Sequence, residues 1–205
     1  DVASAKPGIN STSVRSYRMT ARAEAVKATG EAILDAAKDA FEHLPFDHVT
    51  LKEVAARSGV TVQTVIRRFG SKEQLFEAVA QRERARITNV RSVPEGADLQ
   101  TALDALLDHY EQDGDVVLHL IAQEHHWAQV EEVVREGRQV HRQWVERHCL
   151  AVLAGTDGQE RERRIHAAIV ATDLGTWKLL RRDLGLEREE VATIMIKLLN
   201  GMKES

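Results

Sequence analysis

Several things are scarce or missing in this sequence, and each absence narrows the reading. There is a single cysteine, Cys149, which excludes an internal disulfide and cannot build a zinc site alone. Three prolines in 205 residues leave room for long helices. No apolar run approaches the ~20 residues that span a bilayer. The longest, around Val116–Ala122, is interrupted by His119. The first residues do not run from basic to apolar as a secretory leader does. No segment alternates with period two, so essentially no strand is expected. GxSxG, P-loop, GxGxxG, HExxH and CxxC motifs are all missing, which argues against the common nucleophile, nucleotide and zinc chemistries. The expectation is a reduced, cytoplasmic protein that is not an enzyme and carries no cofactor or metal.

What is present is an ordinary globular composition, 43% hydrophobic and 29% charged. At this length the chain makes one large or two small domains. Its net charge of −4 is unevenly spread. Residues 1–91 carry 15 Lys and Arg against 11 Asp and Glu, a net of +4, and residues 92–205 carry −8. A basic first part on an acidic second part suits a head that meets a polyanion and a body that does not. Residues 1–27 read as a flexible basic arm with Lys6, Arg15, Arg18, Arg22 and Lys27, weakly helical from about Ala21.

From Thr29 the pattern is strongly helical. Ile33, Ala36, Ala37, Ala40, Phe41 and Leu44 form one apolar stripe that Pro45 ends. Thr50-Leu51-Lys52-Glu53 has the form of a capping box and starts a short helix to about Arg57. Gly59 supplies the positive φ that ends it, Thr61 caps another short helix, and Ser71 caps a longer one running to about Val90. Ser92–Ala97 is a break. Beyond it, helices are expected near residues 98–112, 115–126, 128–153, 159–183 and 187–203, with Asp113-Gly114 read as one of the interruptions. The fold class is all-α, about nine helices in total. The expected organisation is an arm over 1–27, a helix-turn-helix domain over 28–91, and a helical ligand-binding and dimerisation domain over 92–205.

Two short helices joined by a glycine-containing turn make a helix-turn-helix. Its second helix would present Thr61, Val62, Gln63, Thr64, Arg67 and Arg68 outward. Amide, guanidinium and methyl groups are the side-chain chemistries that read base edges in a major groove. Thr50 and Lys72 sit at helix N-termini, where N–H groups favour phosphate. An ordinary helical hairpin with a polar outer face fits the spacing too.

Residues 29–77 resemble the DNA-binding domain of the TetR family of bacterial one-component transcriptional regulators. The resemblance rests on Ile33-Leu34-Asp35-Ala36-Ala37 with Phe41, on the run from Val49 to Val60, and on the run from Thr61 to Leu75. It implies contacts to DNA by Thr50, Thr61, Thr64, Arg68 and Lys72. It also implies a homodimer on a palindromic double-stranded operator, and release, as from a repressor, when a small-molecule effector binds the body. Three positions depart from the family pattern. Ile66 stands where the recognition helix usually has Tyr, Arg68 where it has His or Tyr, and Pro45 where a Gly precedes the second helix.

In the body, the last helix carries one apolar stripe, Val191, Ile194, Met195, Leu198, Leu199 and Met202. The helix before it has Ile165, Ile169, Thr172, Thr176 and Leu179 on one face and His166, Val170, Asp173, Trp177 and Leu180 on a neighbouring one, which suggests more than one packing partner. By the resemblance, Ile165, Ile169, Thr172, Thr176, Val191, Ile194, Met195, Leu198 and Leu199 would form the dimer interface. A pocket is expected from Leu106, Tyr110, Ile121, Trp127, Trp144, Asp173 and Trp177, with His125 and His141 as further polar anchors. Aromatic and Leu residues at helical spacing also serve as plain core. A second reading of the whole chain is a helical interaction protein whose DNA-binding head has degenerated.

Overall fold

The computed structural model describes residues 11–202, with side chains at Met19 and from Ala21 onward. It is helical with no strand among the described residues. The helices are α1 (Ser11–His43), α2 (Leu51–Ser58), α3 (Val62–Phe69), α4 (Lys72–Val90), α5 (Leu99–Ile121), α6 (Ala128–His148), α7 (Leu150–Leu153), α8 (Gly158–Thr172), α9 (Leu174–Trp177) and α10 (Arg188–Gly201). A π-helical segment, Lys178–Asp183, continues α9. With α9 and that segment taken as one helix and α7 as a turn, the described residues hold nine helices, as expected. None is long and apolar enough to cross a membrane.

Part of the expected arm is ordered into the first helix. α1 begins at Ser11, ten residues before the expected onset at Ala21. Residues 1–10 of the arm, Lys6 among them, lie outside the described residues, and so do the side chains of Arg15 and Arg18.

The caps read from the sequence are in place. Thr50 accepts from Glu53 N at 3.2 Å and Thr61 from Thr64 N at 3.2 Å. Ser71 forms a reciprocal box with Gln74. Gly59 has φ 69° and returns the chain from α2 toward α3. The Thr50 box is half made: Glu53 pairs with Arg57 at 2.7 Å.

Two cores form. The head core gathers Ile33, Ala37, Phe41, Phe46, Val54, Val65, Leu75, Phe76 and Val79 from α1–α4 and the turn after α1. Val130 and Val134 of α6 complete it. Phe46 lies against Phe41, Phe76 and Trp127 with ring centroids 5.3–5.8 Å apart. The body core holds Leu103, Leu106, Leu107, Tyr110, Trp144, Val145, Ile165, Trp177, Val191, Met195 and Leu199.

Two expected boundaries are corrected. α5 runs through Asp113-Gly114, because both residues are buried and claimed by tertiary partners. Asp113 Oδ1 accepts from Arg86 at 2.6 Å. A Cβ on Gly114 would lie 2.6 Å from the Trp177 ring, so glycine is what lets the two helices approach. Conversely, the helix expected over 159–183 breaks at Asp173, whose ψ is 153° and whose carboxylate caps Gly175 N at 2.7 Å.

Candidate nucleic-acid interface and effector cavity

The outer face of the helix-turn-helix is assembled from α3 and the two neighbouring helix starts. Thr61, Gln63, Ile66, Arg67 and Arg68 are exposed, while Val65 is buried beneath them. Thr61 and Thr64 hydroxyls lie 3.0 Å apart, so the two close the first turn together. Thr50 is exposed at the start of α2.

Three expected DNA-contact residues have structural partners of their own. Val62 is half-buried and packs on the head core, because its position on α3 faces the same side as Val65 and Phe69. Arg68 lies back along α1, its guanidinium filling the space a Cβ on Gly30 would need. Lys72 Nζ donates to the carbonyls of Phe46 at 2.8 Å and Asp47 at 3.4 Å and sits 4.5 Å over the Phe46 ring. That ammonium therefore ties α4 to the turn before α2. Exposed Ile66, where the family pattern has Tyr, places an apolar side chain on the outer face of α3.

A cavity of about 910 Å³ lies where α1 and α4 of the head meet α5, α6 and the 92–97 loop. Of the expected pocket residues, Tyr110, Ile121, Trp144 and Asp173 line it, as does His141. Leu106 and Trp177 do not; both are wholly buried in the body core. Trp127 packs on Phe46 in the head core instead, because the turn between α5 and α6 carries it toward the head. His125 is exposed beside Glu124 and is not part of the lining.

The polar groups of the cavity are unusual in what they lack. His109, Asp113, His141 and Trp144 are all buried, and each has an atom with no hydrogen-bond partner: His109 Nε2, Asp113 Oδ2, His141 Nδ1 and Trp144 Nε1. His109 Nε2 and Asp113 Oδ2 face each other at 3.8 Å, beyond hydrogen-bond distance. Buried polar atoms are normally satisfied, so these four at one cavity call for a cause. Arg91 reaches His109 Nδ1 at 2.8 and 3.2 Å and stands over the Tyr110 ring. A nitrogen that accepts from Arg91 carries no proton, so His109 is neutral with its proton on Nε2. Burial, reinforced by Arg91, Arg86 and His141, pushes its pKa down to about 3. Burial and then Arg91 push His141 down to about 4, against the opposing pull of Asp173. Thr172 gives its proton to the Ala168 carbonyl at 2.8 Å, so His141 Nε2 donates to Thr172 at 3.1 Å and Nδ1 keeps a lone pair. The rings of His141 and Trp144 are stacked with centroids 5.8 Å apart.

Arg91, His109 and Asp113 were missed in the sequence. A signal existed: His109 and Asp113 are four apart on one face of α5 with Tyr110 beside them. Reading Asp113-Gly114 as a break hid it. Among the described residues, no group of three or more His, Cys, Asp or Glu is arranged to hold a metal.

The faces expected to meet a second copy divide in two. Ile165, Thr172, Val191, Met195 and Leu199 are buried within the protomer, because the most apolar stripe of each helix turns to its own core. Ile169, Thr176 and Ile194 are half-buried and Leu198 is exposed. Val170, Leu179 and Leu184 are further large apolar side chains left in solvent by the same helices.

Residues 33–79 match the sequence pattern of bacterial regulatory proteins of the tetR family. Among curated proteins, no sequence matches the chain. Solved structures are similar in fold. A TetR-like transcriptional regulator from Rhodococcus sp. RHA1 has 21% identity and a TM-score of 0.64, covering 83% of this chain and 93% of its own. A tetR-family transcriptional regulator from Streptomyces coelicolor has 18% identity and a TM-score of 0.64, over 84% of this chain and 79% of its own. Another transcriptional regulator from Rhodococcus sp. has 18% identity and a TM-score of 0.63, over 85% and 95%. The head thus carries the sequence pattern of the tetR family over residues 33–79, and the fold of these regulators extends over most of the chain.

Proposed function

We propose that this TetR-like transcriptional regulator binds a palindromic DNA operator as a homodimer and leaves it when a small molecule enters the body cavity. The observation that carries DNA binding is the exposed face of α3, with Gln63, Arg67 and Ile66 standing clear of a helix anchored by Val65. An amide, a guanidinium and an apolar group supply the three kinds of contact that distinguish base pairs in the major groove. Thr50, Thr61 and Thr64 lie at helix starts, where phosphate is favoured. Lys72 and Arg68 act in this reading chiefly by fixing the angle between α4, α3 and α1. Two copies related by a two-fold would place two such helices on half-sites one helical turn apart.

Dimerisation would use the outward residues of α8 to α10, among them Ile169, Val170, Thr176, Ile194 and Leu198. Coupling between cavity and head has a physical route. Gln123 Oε1, just beyond α5, accepts from Phe46 N at 2.9 Å, and His119 of α5 lies 3.3 Å from the Leu44 carbonyl. α5 also lines the cavity, so a shift of α5 on ligand entry would move the turn that leads into α2.

Selection of binding sites from random duplex DNA with the purified protein at moderate salt tests the reading. An enriched palindrome is expected, with affinity falling steeply as salt rises. Gln63→Ala and Arg67→Ala should each relax the selected sequence, at a cost of about 1–3 kcal/mol. A folded dimer that enriches nothing would favour a head that no longer reads DNA.

A further inference from the structure

The cavity has a direction to its chemistry, and that direction names a class of ligand. Its lining holds both charge signs, but most of these charges are already spoken for. Asp113 and Glu83 accept from Arg86 at 2.6 and 2.7 Å, and Lys38 pairs with Glu83 at 3.1 Å and Glu42 at 3.5 Å. Arg138 is held by Glu124, and Arg84 by Glu136. Glu95, Arg147 and Asp173 are exposed to solvent. Arg91 differs from all of these. It is half-buried, burial lowers the pKa of its guanidinium, and its polar partners are the neutral His109 and Tyr110. Asp113 acts on it only through space. In the lining of the same cavity, the buried Trp144 indole N–H has no acceptor. A withdrawn cation and an unpartnered donor are what a bound anion would complete.

We propose that the cavity takes an amphipathic organic carboxylate. Its head group sits between Arg91 and the Trp144 indole N–H. Its apolar body lies along Val116, Leu120 and Ile121 of α5 and Val133 and Val140 of α6. This inference rests on the reading of the cavity as the effector site. A cationic ligand would add a second uncompensated charge beside Arg91, because the buried carboxylate of the wall is engaged by Arg86. His141 does not oppose an anion, because its ring is neutral. The volume of about 910 Å³ suits a ligand of ordinary small-molecule size.

The test is calorimetric titration of the full chain with three probes that share a ten-carbon tail: decanoate, 1-decanol and decylammonium. Decanoate is expected to bind about tenfold or more tightly than decanol, since a charge-assisted contact to a desolvated cation is roughly twice as strong as a neutral one. Decylammonium is expected to bind most weakly. Arg91→Met should bring decanoate down to the affinity of decanol and leave decanol unchanged. Trp144→Phe should weaken decanoate by about threefold to tenfold through the lost N–H donor. If circular dichroism shows that Arg91→Met has lost its helices, Trp144→Phe carries the test. Decanol binding as tightly as decanoate to the parent protein, or decanoate unaffected by both substitutions, would overturn the carboxylate assignment while leaving an occupied cavity. Failure of all three probes to bind would overturn the effector-site reading itself, and the ligand class with it.

Discussion

The head and the body are both helical and both wrap an apolar core, yet different forces set them. In the head, the instructions are local. Helices α2, α3 and α4 each start at a hydroxyl that accepts from the N–H three residues on, and α2 ends at a glycine with φ 69°. Its buried side chains are almost wholly apolar, and among the described residues no head atom is a buried polar atom left without a partner. In the body, the decisive features are tertiary. α5 passes through a glycine because a tryptophan from another helix needs the room, and α8 stops because an aspartate caps the next helix. All four unpartnered buried polar atoms belong to this half, at the wall of one cavity. A region that presents a fixed surface can be satisfied completely. The effector site proposed above keeps unspent hydrogen-bonding capacity, at some cost in stability.

Acid should expose that contrast most strongly. His109 and His141 are held neutral, near 3 and 4, whereas an unfolded histidine titrates near 6.5. Between those values the unfolded chain binds more protons, so stability rises with pH and falls on acidification. From pH 7 to pH 5 each histidine should remove about 1–2 kcal/mol. Thermal unfolding followed across that range should show the loss, and a His109→Gln, His141→Gln double variant should flatten it. A decline of equal slope in the double variant would place the acid sensitivity elsewhere.

The next effect tests the close approach in the body. Gly114→Ala should destabilise by about 1–3 kcal/mol, although alanine favours a helix, because its Cβ would lie 2.6 Å from the Trp177 ring. Denaturant midpoints measure it. A stabilised variant would mean that Trp177 shifts freely. In the head, Gly59→Ala should cost about 1–2 kcal/mol for a different reason. Nothing crowds a Cβ there, and the whole effect comes from forcing alanine to φ 69°. The first cost should diminish in a background carrying a smaller residue at 177; the second should not.

How much of this could be read in the sequence follows the same division. Caps, the glycine turn and the helical stripe of α1 are short-range patterns, and Thr50, Gly59, Thr61 and Ser71 stand where they were expected. The outer face of α3 follows from its period, except at Val62, which turns toward the core. Arg68 and Lys72 were legible as cations near a DNA face, but not as props against Gly30 and the Phe46 carbonyl, since those contacts span 38 and 26 positions of chain. Tyr110, Ile121, Trp144 and Asp173 were found at the cavity, because amphipathic helices admit few other places for them. Trp127, Leu106 and Trp177 were misplaced, because an aromatic or leucine stripe does not say which of two cores it enters. The inward turn of Ile165, Thr172, Val191, Met195 and Leu199 was missed for the same reason.

The smallest expected effect has the opposite sign and isolates the intrinsic term. Gly137 lies in the middle of α6, and a Cβ built there meets nothing within 4 Å. Its φ is helical rather than left-handed, since it is absent from the positive-φ glycines. Gly137→Ala therefore gains helix propensity without a clash and should stabilise the protein by about 0.5–1 kcal/mol. Set against Gly114→Ala, the same change in two helices of the same half gives opposite signs, and the difference between them measures what Trp177 demands of α5. Gly137 also borders the cavity, so the substitution carries a second measurement. If its methyl group narrows the space that the decanoate tail needs, stability rises while decanoate affinity falls. If both rise, the tail lies on the α5 side of the cavity and α6 serves chiefly to hold Trp144 in place.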